Sequence, residues 1–339
     1  MSSTTSSELI FVTGASGFLG SHVVLQLLEN GYRVRAAARG AKADLLKASY
    51  AGYGDRFEVV KIADIVHDQF PDAFVGVSAV MHLASPLPGR VPPAEILKAA
   101  VDGTLNVIVQ GEKAGVRRMV VTSSIASVKN PQESFTDKGG FPPPRMLLST
   151  YQPAPDWNPI TREFALTGGS DWATYAASKK FAELALWEWA DQHPHVDVTT
   201  LNPTYFYGPF TPLFPVPDAS VLSTDLHVYN LLFPDGVFPA ETRYVDVRDA
   251  AQAHVRALSA PPTAAVGRKR IARLITAAPK ALPADVLPMD FGRVEEVLGM
   301  KIADFHTTEQ TTLDTVDALI AVEEQWRKDG QPIKTPPPY

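Results

Sequence analysis

Tyr175 and Lys179 are four positions apart in the segment Tyr175-Ala176-Ala177-Ser178-Lys179. Residues at this spacing share one face of a helix. A nearby ammonium group favours the phenolate and lowers the pKa of a phenol from its usual value of about 10. A tyrosine tuned in this way can donate or accept a proton near neutral pH. Such pairs also arise by chance on solvated helices, so the rest of the chain decides what this pair means.

Hydroxyl side chains follow an apolar run at Met119 to Thr122, in Thr122-Ser123-Ser124. A hydroxyl group at the carboxyl end of a strand can point into a ligand crevice and hydrogen-bond a substrate carbonyl. Ordinary serine and threonine turn chemistry is the alternative explanation.

A glycine-rich turn lies near the start of the chain. The short apolar run Leu9 to Val12 predicts a strand, and a helical pattern begins at Phe18. Gly14, Gly17 and Gly20 lie across this junction, where a pyrophosphate could sit on the helix N-terminal amides. The wider gap between the first two glycines departs from Gly-x-Gly-x-x-Gly, and a plain loop cluster is the alternative.

Strand and helix patterns alternate through the first two hundred residues. We predict five further strands, at Arg33 to Ala38, Phe57 to Ile62, Ala79 to Leu83, Met119 to Thr122 and Val198 to Leu201. We predict helices over about Glu95 to Lys113 and Trp172 to Ala190. This alternation predicts an α/β fold, a Rossmann-type doubly wound parallel sheet with its ligand at the carboxyl ends of the strands.

The second half of the chain is less regular. Residues 131–159 are rich in proline and glycine and are predicted to cross over the sheet. Asp246 is a predicted helix N-cap, and an amphipathic helix is expected at Thr312 to Lys328. We therefore predict a flexible tail (1–7), a nucleotide-binding domain (8–201 plus about 240–260) and a smaller C-terminal substrate lobe (about 202–239 plus 261–339).

Composition narrows the possible functions. The 339 residues carry 31 Lys plus Arg against 37 Asp plus Glu, for a net charge of −6. A chain with this balance has no excess of positive charge with which to bind nucleic acid or an anionic membrane. The absence of cysteine excludes disulfides, thiolate chemistry and Cys-based zinc sites. With no signal peptide or long apolar run, a cytoplasmic location is expected.

Together these segments resemble the extended short-chain dehydrogenases/reductases, over essentially the whole chain. The nearest likeness is to the dihydroflavonol-reductase-like branch, with its fungal NADPH-dependent aldehyde, ketone and methylglyoxal reductases. The resemblance rests on the segments at 13–20, 82–86, 122–124, 175–179, 202–204 and 244–249. It implies a catalytic triad of Ser124, Tyr175 and Lys179, with Ser123 as the alternative if the register is off by one.

Cofactor choice is predicted from the second strand. NAD enzymes of this architecture usually place an acidic side chain there, but this chain has Ala36-Ala37-Ala38-Arg39 and no acid until Asp44. A guanidinium group suits the 2′-phosphate of NADP, so NADPH is expected; the alternative is a solvated surface arginine. The predicted cofactor-binding residues are Gly14, Ser16, Gly17, Phe18, Leu19, Gly20, Arg39, Lys42, Asp64, Ile65, Leu83, Ala84, Thr122, Tyr175, Lys179, Pro203 and Tyr205.

The substrate pocket is expected between the crossing segment and the lobe. Ser124 is one predicted lining residue. The others are apolar or aromatic, namely Ile125, Phe135, Phe141, Met146, Tyr205, Phe206 and Phe210. This lining favours a hydrophobic or aromatic aldehyde or ketone, although the same residues could simply pack the lobe onto the sheet. His193-Pro194-His195 has no third ligand at metal spacing, so no metal site is predicted.

The sequence therefore predicts an NADPH-dependent carbonyl reductase, a monomer or homodimer that acts on a small molecule. One alternative is a sugar-nucleotide epimerase or dehydratase that retains its NAD. Arg39 argues against it, as does Ala100, where many epimerases carry asparagine. The second alternative is a non-catalytic NADP-sensing protein, although such proteins commonly lose the tyrosine and lysine. The tail 336–339 matches a pattern recognised by WW domains.

Overall fold

A seven-stranded parallel sheet forms the centre of the molecule. The computed structural model describes residues 8–86, 92–128, 157–167, 170–217, 221–237, 243–274, 291–331 and 333. The strands of this sheet are β1 (Leu9–Thr13), β2 (Arg33–Ala38), β3 (Phe57–Lys61), β4 (Val77–His82), β5 (Arg118–Thr122), β6 (Asp197–Pro203) and β9 (Lys269–Leu274), in the order β3-β2-β1-β4-β5-β6-β9. A separate parallel pair is formed by β7 (Tyr205–Tyr207) and β8 (Tyr244–Asp246). The predicted Rossmann-type fold is confirmed, and the five further predicted strands end within two residues of the observed ones.

Helices cover both faces of the sheet. They are α1 (Phe18–Glu29), α2 (Ala41–Ser49), α3 (Pro93–Lys113), α4 (Arg162–Thr167), α5 (Asp171–Gln192), α6 (Asp225–Asn230), α7 (Val247–Ala257), α8 (Thr263–Val266), α9 (Phe291–Leu298) and α10 (Thr308–Lys328). Alternate side chains of β4 point to opposite faces. Met81 packs in the core beneath α1 and α7, whereas Val80 packs in the core beneath α3 and α5. The two helix layers therefore hold the carboxyl ends of the strands fixed from both sides.

The strand order reverses between β1 and β4. From this point the chain proceeds outward to β2 and β3 on one side and to β5, β6 and β9 on the other. A ligand crevice forms where such a reversal separates the loops that follow neighbouring strands. Thr13 and His82 end the two strands, and their side chains are hydrogen-bonded across the reversal with Oγ1 2.8 Å from Nδ1.

The predicted division into domains needs a correction. Residues 269–274 were assigned to the lobe, but they form β9 and pair with β6 in the main sheet. Helix α9 packs on the same core through Val294 and Val297. The lobe has its own smaller core, in which Tyr229 of α6 packs with residues of α10 such as Trp326.

Asp246 caps α7, as predicted, because its carboxylate accepts from the backbone N–H of Arg248. Among the described helices, none has the length and apolar character needed to cross a membrane. The predicted pocket residues Phe135, Phe141 and Met146, the tail 1–7 and the segment 336–339 lie outside the described residues.

Candidate active site

The turn after β1 requires glycine at two positions. Gly14 has φ +73°, and a Cβ there would lie 2.7 Å from the backbone nitrogen of Ala84. A Cβ on Gly20 would lie only 2.0 Å from the carbonyl oxygen of Gly14. Helix α1 is thus pressed against the turn that precedes it. Its N-cap, Gly17, offers no side-chain hydrogen bond to the first helical amides. Because its glycines carry no side chains, the turn leaves these amides accessible, and the pyrophosphate of a dinucleotide fits there.

The remaining predicted dinucleotide contacts lie around this turn. Arg39 directly follows β2, and its side chain is exposed, as is that of Lys42 in α2. Leu83 and Ala84 follow β4, where the backbone N–H of Ala84 donates to Thr13 Oγ1. The predicted contact residues Ser16 and Leu19 belong to the glycine turn and α1, and Ile65 follows β3.

The Asp64 carboxylate is hydrogen-bonded to residues of its own turn. Its carboxylate accepts from the backbone N–H of Val66 at 2.8 Å and lies 2.7 Å from Nδ1 of His67. The hydrogen bond with His67 is the main reason why the pKa of Asp64 lies below its usual value. The predicted cofactor-binding loop after β3 is therefore held in one conformation by this carboxylate.

Ser124 and Tyr175 meet at the carboxyl end of β5. The Ser124 hydroxyl group lies close enough to Tyr175 to lower the pKa of that phenol, and Ser124 Oγ accepts from the backbone N–H of Ala126. Lys179 lies one turn further along α5, with Nζ 3.5 Å from the carbonyl oxygen of Thr122 and 5.9 Å from the centre of the Tyr175 ring. The neighbouring serine is differently placed, because Ser123 Oγ donates to the carboxylate of Glu183 at 2.6 Å. The three residues of the predicted triad are thus brought together.

The electrostatics of the pair differ from the prediction. Burial raises the pKa of Tyr175 to about 12, and the nearby Ser124 hydroxyl group only partly opposes this effect. The expected lowering by Lys179 is absent because desolvation dominates and the ammonium group does not contact the phenol oxygen. Burial also lowers the pKa of Lys179 to about 8, against the raising effect of the Glu183 charge. Tyr175 is therefore a protonated donor across the neutral range.

An aromatic cluster borders Tyr175. The Trp172 ring stacks on the Tyr175 ring at 5.3 Å and meets the Tyr205 ring edge-on at 6.2 Å. On its other side, Tyr205 stacks on His227 at 5.0 Å. The sequence predicted Tyr205 here but missed Trp172 and His227; the signal for Trp172 was its position three residues before Tyr175 on the same helix.

Two predicted pocket residues, Phe206 and Phe210, pack against the main core. Phe206 follows Tyr205 in β7, and successive side chains of a strand point to opposite faces, so Phe206 packs against the main core instead. Phe210 stacks on Phe18 with ring centres 5.0 Å apart. These contacts are those that the packing alternative expects, and a place for either residue in the pocket stays a prediction. Ile125 is buried directly after Ser124, and Pro203 ends β6 beside Leu274.

Comparisons with known proteins agree with this geometry. A model of the NAD dependent epimerase/dehydratase family matches residues 10–151 and 145–270. An uncharacterized oxidoreductase of Schizosaccharomyces pombe is 39% identical over 264 residues, covering 75% of this chain and 74% of that protein. A Candida albicans protein named for NADPH-dependent methylglyoxal reductase activity is 36% identical over 272 residues, which cover 74% of each.

A crystal structure of Gre2 from Candida albicans in complex with NADPH has a TM-score of 0.73 at 25% identity. The alignment covers 93% of this chain and 99% of that one. The resemblance predicted from the sequence is thereby confirmed, and the chain belongs to the NAD dependent epimerase/dehydratase family, among the extended short-chain dehydrogenases/reductases.

Proposed function

We propose that this protein is an NADPH-dependent carbonyl reductase that converts an aldehyde or ketone to the alcohol. The observation that carries the proposal is the placement of Ser124 beside Tyr175, with Lys179 one turn away on α5. The pair lies at the carboxyl end of β5, on the side of the sheet reversal where a dinucleotide held by the glycine turn would extend. The reductases named among the relatives support the same activity.

The residues have separate tasks in this reaction. Bound NADPH supplies the hydride that reduces the carbonyl carbon. Ser124 and Tyr175 donate hydrogen bonds to the carbonyl oxygen and stabilise the negative charge that develops there. Tyr175 then transfers its proton to that oxygen, and a pKa of about 12 ensures that the proton is present beforehand.

The choice of NADPH over NAD is supported by Arg39. Its exposed guanidinium group lies at the end of β2, where an NAD enzyme would carry an acid that binds the ribose hydroxyls. This group can bind a 2′-phosphate through two N–H donors. Arg39 also weighs against the epimerase alternative, in which NAD remains bound through the cycle. Gly14, Gly17 and the α1 amides would hold the pyrophosphate, and Lys179 the nicotinamide ribose.

The substrate class is supported by the aromatic cluster of Trp172, Tyr205 and His227. Burial lowers the pKa of His227, so this side chain is neutral near pH 7. A neutral aromatic surface beside the proton donor favours a hydrophobic or aromatic carbonyl over a sugar nucleotide. A cytoplasmic location and a monomeric or homodimeric state remain predictions.

A substrate panel tests the proposal. Purified protein is assayed with aldehydes, diketones and aromatic ketones, using NADPH against NADH, and we expect NADPH oxidation with an aromatic or hydrophobic member. Tyr175→Phe should lower kcat at least ~100-fold, because the proton donor is lost, while NADPH binding measured by fluorescence stays within about twofold. Tight, non-exchanging NAD in the purified protein would favour the epimerase alternative. Inertness toward the whole panel would favour the sensor.

A further inference from the structure

Helix α5 carries a third ionisable residue on the face that holds the proton donor. Tyr175, Lys179 and Glu183 follow one another at intervals of four residues. The side chains of Lys179 and Glu183 are both buried, with residue exposures of 6% and 3%. Burial of an ionised carboxylate costs desolvation free energy unless opposite charges and hydrogen-bond donors compensate it. The partners of Glu183 therefore decide whether it is ionised.

Six donors surround the Glu183 carboxylate. One oxygen accepts from Ser123 Oγ, Ser127 Oγ and Asn202 Nδ2 at 2.6, 2.8 and 2.7 Å. The other accepts from Arg270 Nε at 2.6 Å, Thr200 Oγ1 at 3.2 Å and Trp187 Nε1 at 3.4 Å. Burial opposes ionisation most strongly, but Arg270 and the hydroxyl donors outweigh it and hold the pKa of Glu183 below its usual value. Glu183 is therefore a fixed negative charge inside the protein.

We propose that Glu183 is a positioning residue of the reductase site, whose fixed charge keeps the buried Lys179 protonated. The consequence for turnover rests on the proposed function, whereas the effect on Lys179 itself does not. The same carboxylate orders the serine turn, because Asn202 Nδ2 donates both to Glu183 and to the carbonyl oxygen of Ser124.

The other groups around Lys179 cannot supply this charge. On β4, His82 is fully buried, and its pKa is lowered to about 3 by burial and by the Lys179 charge. On α7, His254 bonds Thr122, and burial lowers its pKa to about 4. Both histidines are neutral at pH 7, as is Tyr175. Arg270 on β9 is positive and would repel the ammonium. Among the described residues facing Lys179, Glu183 supplies the compensating negative charge.

The direct test is the titration of Lys179 in the full-length protein by the 13Cε chemical shift of lysine, with the resonance assigned from its loss in Lys179→Arg. Glu183→Gln should lower the pKa of Lys179 by about one pH unit or more, because an opposing charge is removed. Glu183→Asp keeps the charge and should restore most of the difference. Glu112→Gln removes a surface carboxylate from α3 and is the matched control, with no change expected.

Arg270→Gln separates a charge effect from a packing effect. Removing this positive charge should raise the pKa of Lys179, in the opposite direction to Glu183→Gln. It also keeps the proposal falsifiable if Glu183→Gln does not fold. A merely structural role predicts that both variants lose stability and leave the pKa of Lys179 unchanged, and that result would overturn the proposal.

Turnover provides the second readout. The alkaline limb of kcat for NADPH oxidation should move to lower pH in Glu183→Gln by about the same interval as the NMR titration. An unmoved limb in a folded variant, with an active wild type, would overturn the Glu183 proposal alone. A wild type inert toward every carbonyl would refute the reductase function, and the NMR titration would still decide the role of Glu183.

Discussion

At the scale of single residues, two adjacent serines after β5 have different roles. Ser124 has extended backbone, with φ −161°, and its hydroxyl group meets that of Tyr175. Ser123 points to the opposite side and contributes one of the donors to Glu183. Because successive residues in an extended chain face opposite directions, a shift of one position changes the assignment completely.

Alanine substitutions distinguish the two serines. Ser124→Ala should lower kcat of the proposed reaction by about 100-fold, because one of the two donors to the developing oxyanion is lost. Ser123→Ala should lower kcat much less and instead reduce the free energy of unfolding by about 1–3 kcal/mol, because it removes a hydrogen bond to a buried carboxylate. Steady-state kinetics and urea denaturation of both variants provide the comparison. A larger loss of kcat in Ser123→Ala would favour the alternative register.

At the scale of elements, the sequence predicts what depends on local pattern. The strand and helix alternation, the Tyr175–Lys179 helix face and the turn at Gly14 all follow from residues close together in the chain. The partners of Glu183 do not, since Arg270 lies 87 residues away, although the four-residue spacing after Lys179 was a visible signal. The place of β9 in the main sheet was not predicted, because Lys269 and Arg270 occupy this strand and their charges pair with Asp197 and Glu183 on other elements.

Gly20→Ala tests how closely α1 approaches the glycine turn. The added methyl group would lie 2.0 Å from the Gly14 carbonyl oxygen and 2.9 Å from Ala15 Cα, both parts of the backbone that cannot move independently. We expect a loss of about 1–3 kcal/mol in unfolding free energy, together with weaker NADPH binding in a fluorescence titration. Gly52→Ala is the matched control, since nothing lies within 4 Å of its new Cβ. Unchanged stability and NADPH affinity in Gly20→Ala would contradict the packing described for the turn.

At the scale of the whole molecule, two buried aspartates, Asp225 and Asp246, lie where the lobe packs against the sheet domain. Asp225 begins α6 in the lobe, and Asp246 ends β8 and caps α7. Both are fully buried, but Asp246 is compensated by Arg248 at 2.7 Å. Burial raises the pKa of Asp225 well above its usual value, the charge of Asp246 adds to the effect, and the Gly208 amide opposes it. The junction therefore favours a protonated Asp225.

Asp225→Asn should consequently stabilise the protein more as the pH rises. The folded-state pKa of Asp225 is raised, so its contribution to stability is complete below the unfolded-state pKa near 3.8 and is lost as pH rises through the folded-state value. Asparagine does not titrate, so the variant escapes this loss. The difference in unfolding free energy, variant minus wild type, should grow by about 1 kcal/mol or more between pH 5 and pH 8, as measured by urea denaturation. Asp55→Asn replaces an exposed carboxylate and should show no such growth. If the difference in unfolding free energy for Asp225→Asn also stays constant between pH 5 and pH 8, Asp225 ionises in the folded protein as freely as a surface carboxylate. That result would contradict the raised pKa described for this buried aspartate.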